Sequence, residues 1–254
     1  MAKPTKSEQS DRRKVVDNIR RKQKRADKRQ GRVILGVCIL VALVIVGAAA
    51  YNPVKTAFEK ARYSGKSLDE IGATASACQK IFEKDATGSG EHVQEDVQIK
   101  YPDAPPAFGK HWNVNGVAPV PQAQRYYTAD TRPELEALVH NLEHGYTLLW
   151  YDKSVAKDAG QIAAIKAMAD TLDANDTNGR LKFKAVPWTD TDAKEAGGKN
   201  FPKGQHIALT HWRVDPKTQK QHGAWQYCSE PSGEALSDFM KKYPFTDAPE
   251  PFAM

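Results

Sequence analysis

Nineteen consecutive residues without a charge, Val33 to Tyr51 (VILGVCILVALVIVGAAAY), constrain this chain more than any other stretch. About 20 apolar residues in a helix cross a bilayer core, so the run is read as a transmembrane helix. Its flanks give it a direction. Residues 1–32 hold thirteen Lys and Arg against four Asp and Glu, a net of +9. Taking that segment from the totals of 37 and 31 leaves 24 bases and 27 acids, a net of −3, so the overall +6 belongs to the N-terminal segment. The positive-inside rule then puts the N-terminus in the cytoplasm and everything after Tyr51 outside. Cleavage near Ala48-Ala49-Ala50 as a signal peptide competes, but thirty-two residues make a long basic leader and favour an uncleaved, single-pass anchor. Cys38, early in the apolar run, is expected as a small membrane-embedded residue rather than a lipidated one.

The chain therefore divides into a basic cytoplasmic tail (1–32), a transmembrane helix (33–51), a stalk (52–67), an extracytoplasmic domain (68–245) and a C-terminal tail (246–254). The basic tail reads as solvated and mostly disordered. Its expected partner is the membrane itself, since each Lys or Arg near anionic headgroups adds about 1 kcal/mol. Nucleic acid would use the same charges. No aromatic residue interleaves them and no nucleic-acid module is visible, so nucleic acid is not expected. Outside the membrane only Cys78 and Cys228 remain, an even pair that predicts a disulfide; without C-x-x-C spacing, paired thiolate metal ligands are the lesser alternative.

Along the outer segment, a helix is expected over Ser67–Lys84, a turn over Asp85-Ala86-Thr87-Gly88-Ser89-Gly90, and a half-buried strand over His92–Tyr101. The prolines of Pro102–Trp112 predict a stiff loop that carries His111. Thr131, Pro133 and the acids after them open a helix that Gly145 closes. Tyr146–Tyr151 follows as an apolar strand. Ile162, Ile165, Ala169 and Leu172 mark an amphipathic helix, and Leu181–Val186 a strand with one wet face. His206–Val214 and Gln221–Tyr227 form two more strands around a turn at Asp215-Pro216-Lys217, before a closing helix with Leu236, Phe239, Met240 and Tyr243 on one side. Helices mixed with strands and one hairpin predict an α+β (or α/β) fold, a layered mixed sheet with helices packed on it.

The chemistry concentrates in His140-Asn141-Leu142-Glu143-His144-Gly145. At about 100° per residue, Leu135, Leu138, Val139 and Leu142 share one helix face, and Glu136, His140, Glu143 and His144 share the other. Imidazoles at i and i+4 reach one ion, and His140-x-x-Glu143-His144 has the order of the inverted zinc-peptidase motif, in which the Glu activates water. His144 equally fits the end of a helix, where the carbonyls favour a protonated ring and oppose metal binding. His206 and His211, five apart on one strand, face opposite ways. His222 is expected in solvent. No phosphate-binding glycine loop and no G-x-S-x-G elbow occurs.

His92-Val93, then Pro105-Pro106-x-x-Gly109-x-His111, then Val139 through Gly145 leading into a strand that ends at Tyr151, resembles the bacterial family catalogued as domain of unknown function 3105. The similarity covers about residues 68–245. Such a resemblance implies a membrane-anchored or secreted protein, often actinobacterial, with no assigned activity. It also implies that His92, His111, His140 and His144 belong to one site. The chain departs from the family pattern at Phe108, where Ser is usual, and over Asn113–Gln124.

Three functions are compatible with these residues. A transition metal, zinc or copper, would be held by His140 and His144 with His111 and with His92 or Glu143. His111 is the preferred third ligand because Pro105, Pro106 and Gly109 hold its loop. A zinc hydrolase would use Glu143 as general base. A non-catalytic binding or scaffolding module of the cell envelope would use the histidines only for its fold.

Overall fold

The computed structural model describes residues 6–86, 88, 90–172 and 181–253, which form two units, residues 1–58 and 59–254. In the first, helix α1 (Lys6–Tyr63) is continuous from the basic tail through the apolar run. Its Asp17–Tyr51 stretch is, among the described residues, the one helix long and apolar enough to cross a membrane, and none of that span is buried within the protein. The tail is thus helical from Lys6 rather than disordered. Lys, Arg, Gln and Ala are strong helix formers, and no Pro or Gly interrupts residues 5–30. Residues 1–5 of the expected tail and Met254 of the expected C-terminal tail lie outside the described residues.

The second unit is built on a five-stranded mixed sheet. Its strands are β1 (Phe82–Asp85), β4 (Thr147–Tyr151), β5 (Phe183–Pro187), β6 (Ile207–Val214) and β7 (Gln221–Cys228), in the order β1-β7-β6-β4-β5. Only β4 and β5 run parallel, and the crossover between them carries α3 (Lys153–Lys157) and α4 (Ala159–Thr171). The β6–β7 hairpin is set by Asp215, whose Oδ1 accepts from the amides of Lys217 and Thr218 at 2.9 and 2.8 Å, with Gln219 at φ 58°. Alternation along β6 separates two cores. Ala208 and Trp212 pack with Trp150 and with Leu138 and Leu142 of α2 (Leu135–Glu143) on one face. Ile207 and Leu209 pack with Ile165 of α4 and with Leu236 and Phe239 of α6 (Gly233–Lys242) on the other. A short α5 (Asp190–Glu195) follows β5. The architecture is the α+β layered mixed sheet expected.

Several local expectations give way to long-range contacts. Ser67–Lys84 is not a helix but two 3-10 turns, Leu68–Glu70 and Ala75–Ala77, followed by the edge strand β1. Gly72 at φ 82° breaks the path, and the backbone beyond it bonds to the other end of the chain: Ala73 to Pro231 and Gln79 to Tyr227. Cys78 and Cys228 are disulfide-bonded there, 150 residues apart in sequence; Cys38 is free and exposed. Of the expected strand His92–Tyr101 only β2 (His92–Val93) forms, paired in parallel with β3 (His111–Trp112). The rest finds side-chain partners instead, as where the Ile99 amide donates to Glu136 at 2.8 Å. Thr87 and Ser89 of the expected turn lie outside the described residues.

The wet face expected on the fifth strand is dry: Lys182 and Lys184 are both buried. Lys184 Nζ donates to the carbonyls of Pro121 (2.7 Å) and Gln124 (2.9 Å), and Lys182 Nζ to those of His144 and Pro251 (both 2.8 Å). The Gln124–Tyr127 segment lies along β5, with Tyr127 and Arg125 exchanging backbone bonds with Ala185. Burial, helped by Arg125, pulls the Lys184 ammonium down to about 7.

Candidate metal centre

Helix α2 positions the site. It begins at Leu135, with Glu134 as N-cap, and ends at Glu143, with His144 already outside helical dihedrals (φ −89°, ψ 15°). Gly145 then takes φ 83°, and a Cβ there would run into the Phe245 carbonyl. All nine residues of α2 are buried, the polar face included. That face is covered because each polar residue on it holds a crossing segment. Glu136 accepts from Ile99, His140 Nδ1 donates to the Trp112 carbonyl at 2.6 Å, and the Glu143 carbonyl accepts from the Glu250 amide at 2.9 Å. Asn141 exchanges two hydrogen bonds with the Val120 backbone, at 3.0 and 2.9 Å.

Three imidazoles and one carboxylate meet on this covered face. The ring centroids of His92 and His111 are 4.8 Å apart, those of His111 and His140 4.7 Å, and those of His92 and His140 5.2 Å. One ligand atom from each of His92, His111, His140 and Glu143 lies within 4.8 Å of all the others. Tetrahedral zinc with bonds of 2.0–2.1 Å places its ligand atoms about 3.4 Å apart, so small side-chain shifts would close this group on one ion. Glu143 Oε2 already stands 2.8 Å from His111 Nε2 and 3.3 Å from His92 Nε2. His92 is the exposed corner, its side chain 39% accessible while that of His111 is 0% accessible, which makes it the side an ion would enter from.

The outer ring nitrogens set the tautomers. His111 Nδ1 bonds the Gly109 carbonyl at 2.8 Å and His140 Nδ1 bonds that of Trp112, so both Nδ1 atoms are N–H donors and Nε2 is the atom each ring has left to offer a metal. His111 Nε2 is buried and stands 2.8 Å from Glu143 Oε2, but short of hydrogen-bond geometry. Glu143 has room beside Gly90, where a Cβ would stand 2.9 Å from Oε1.

Burial first, then the neighbouring His111 and His144 rings, lowers His140 to about 4. Burial likewise takes His144 to about 4, against the opposing pull of Glu143. Burial acts to raise the Glu143 carboxyl, but His111 and His92 outweigh it and hold it below its ordinary value. At neutral pH the His140 and His144 rings are neutral and the Glu143 carboxylate is ionised, the forms that bind metal. Because both folded values lie below the unfolded value near 6.5, the unfolded chain takes up more protons between pH 6.5 and 4. Metal-free protein is therefore expected to lose on the order of a few kcal/mol over that interval, with little change above pH 7. Urea midpoints measured in chelator at pH 4.5, 5.5, 6.5 and 7.5 check this; a flat series would contradict it.

One point shared by His111, His140 and His144 does not form. His92 completes the group with His111 and His140; the His144 ring packs edge-on against His140, centroids 4.5 Å apart, but its Nε2 faces the C-terminal segment. Its Nε2 is buried without a hydrogen-bond partner, 3.7 Å from Glu250 Oε2. Glu143, His144 and Glu250 make a second group with ligand atoms mutually within 4.8 Å. His206 and His211 are elsewhere: His206 Nδ1 meets Asp152 Oδ2 at 2.8 Å, and buried His211 joins the Tyr146 carbonyl (3.1 Å) to Asp247 (2.8 Å). His222 is half-buried within β7, not in a solvent turn. Glu250, Asn113 and Asn141 were missed by sequence reasoning. The flanking Pro249 and Pro251 are the signal that marks Glu250, the same stiffening that marks His111.

A family model described as "Protein of unknown function (DUF3105)" matches residues 92–253, more than half of the chain, so the chain belongs to that family. No curated protein and no solved structure matches it.

Proposed function

We propose that this family member is a membrane-anchored, extracytoplasmic metal-binding protein whose centre takes a zinc or copper ion through His92, His111, His140 and Glu143. The observation that carries this is the convergence of three rings, two with Nδ1–H tied to backbone carbonyls, on one ionised and largely buried carboxylate. Imidazole nitrogens with one oxygen suit either metal. The apolar helix before the domain and the Cys78–Cys228 disulfide support an anchored domain in an oxidising compartment. The basic tail would then lie against anionic headgroups on the other side.

Glu143 sits where a ligand sits, 2.8 Å from His111 Nε2, 3.3 Å from His92 Nε2 and 4% exposed, which favours a ligand over the general base of a hydrolase. Full-length protein purified in detergent without chelator is expected to carry zinc or copper, and after stripping to rebind it in a titration. Absence of metal on purification together with no affinity for either ion would sink the proposal. Glu143→Gln separates the roles: a ligand's loss weakens binding, whereas a base's loss leaves the metal in place.

A further inference from the structure

We infer that the centre is binuclear: a second divalent cation is held by Glu143, His144 and Glu250, with the Glu143 carboxylate bridging it to the ion at His92, His111 and His140. This rests on the metal-binding proposal above and extends it. Glu143 is the one residue common to both groups of converging ligand atoms. Its Oε2 faces His111 and His92, so the carboxylate has a second oxygen to offer the neighbouring position. Paired ions in binuclear sites stand about 3.5–4 Å apart, a span one carboxylate bridges.

His144 supplies the independent sign. Its side chain is 6% accessible, yet Nε2 has no hydrogen-bond partner and stops 3.7 Å short of Glu250. An orphaned buried nitrogen destabilises the fold, and a cation between His144, Glu250 and Glu143 would satisfy it.

Glu250 is delivered rather than free-floating. Its amide donates to the Glu143 carbonyl, Lys182 holds the Pro251 carbonyl at 2.8 Å, and Asp247 is held by His211 at 2.8 Å. Its carboxylate borders an open cleft of about 560 Å³ that also touches Glu143, Gly90 and Gln221. The second ion would therefore have three protein ligands and solvent in its remaining positions. It is the weaker and more exchangeable of the two.

Zinc titration of stripped, full-length protein in detergent, with equilibrium dialysis and elemental analysis, tests this. Two zinc ions per chain are expected, the second binding more weakly. Glu250→Gln and Glu250→Ala should each keep the first ion and weaken the second about 100-fold or more, with unchanged far-UV circular dichroism, because the side chain is half exposed. One zinc per chain in the parent overturns the binuclear centre but leaves the single site standing; none overturns both. Two tight ions in both Glu250 variants would place the second ion elsewhere and overturn the assignment.

Discussion

His140→Ala in the full-length protein is expected to weaken the first metal ion by about 100-fold or more, the upper end of what even supporting residues contribute. His140 removes one of three nitrogens, and it also releases the Trp112 carbonyl that fixes β3 and thereby His111. The variant will lose stability from the cavity as well, so binding and folding must be separated. Ligand linkage does this. At a zinc concentration about 1,000 times the parent's Kd, the parent gains about 4 kcal/mol, whereas a variant weakened about 100-fold stands at about 10 times its own Kd and gains only about 1.4 kcal/mol. His206→Ala, distant from the group, should keep the zinc-dependent rise. If zinc raised the melting temperature of the parent and of His140→Ala equally, or of neither, the histidines would serve only the fold.

Cys78→Ser is expected to cost roughly 5 kcal/mol, because the bond closes a loop of 150 residues and the chain-entropy cost rises with the logarithm of that length. That is a large part of the stability of a typical domain. The loss also frees a segment with little structure of its own: beyond one 3-10 turn, 73–79 is held by backbone bonds with Pro231, Tyr227 and Ser229. Urea unfolding of the parent with and without reductant, beside the variant, measures it. An unchanged midpoint on reduction would show that the bond does not form or does not matter. In the reduced parent, recovery on reoxidation distinguishes the bond from damage.

Where a residue pattern acts locally, the fold and the candidate site are legible. The apolar run is part of a helix long and apolar enough to cross a membrane, as its length and composition predict. The β6–β7 hairpin follows from two apolar strands around an Asp-Pro turn. His140 and Glu143 share a face because the helical repeat puts them there, and Gly145 ends α2 because φ 83° suits glycine. Counting alone paired Cys78 with Cys228 outside the apolar run.

What the chain order could not disclose is which surfaces meet. Lys182 and Lys184 look like a solvated strand face, and become buried only because distant segments bring carbonyls to their ammonium groups, Pro121 and Gln124 to Lys184 and His144 and Pro251 to Lys182. The group of His111, His140 and Glu143 is completed by His92 rather than His144, since a short parallel pairing of β2 with β3 puts His92 beside His111, while the His144 ring, though 4.5 Å from that of His140, groups with Glu250. Glu250 reaches the site only by the path of the C-terminal segment across α2. The sequence by itself determined the spanning helix, the hairpin, the disulfide pair and the polar face that bears His140 and Glu143, because each depends on residue period, count or backbone preference. Tertiary structure alone decided that this polar face is covered, and by which residues, because long-range packing and buried hydrogen bonds have no periodic trace in the chain.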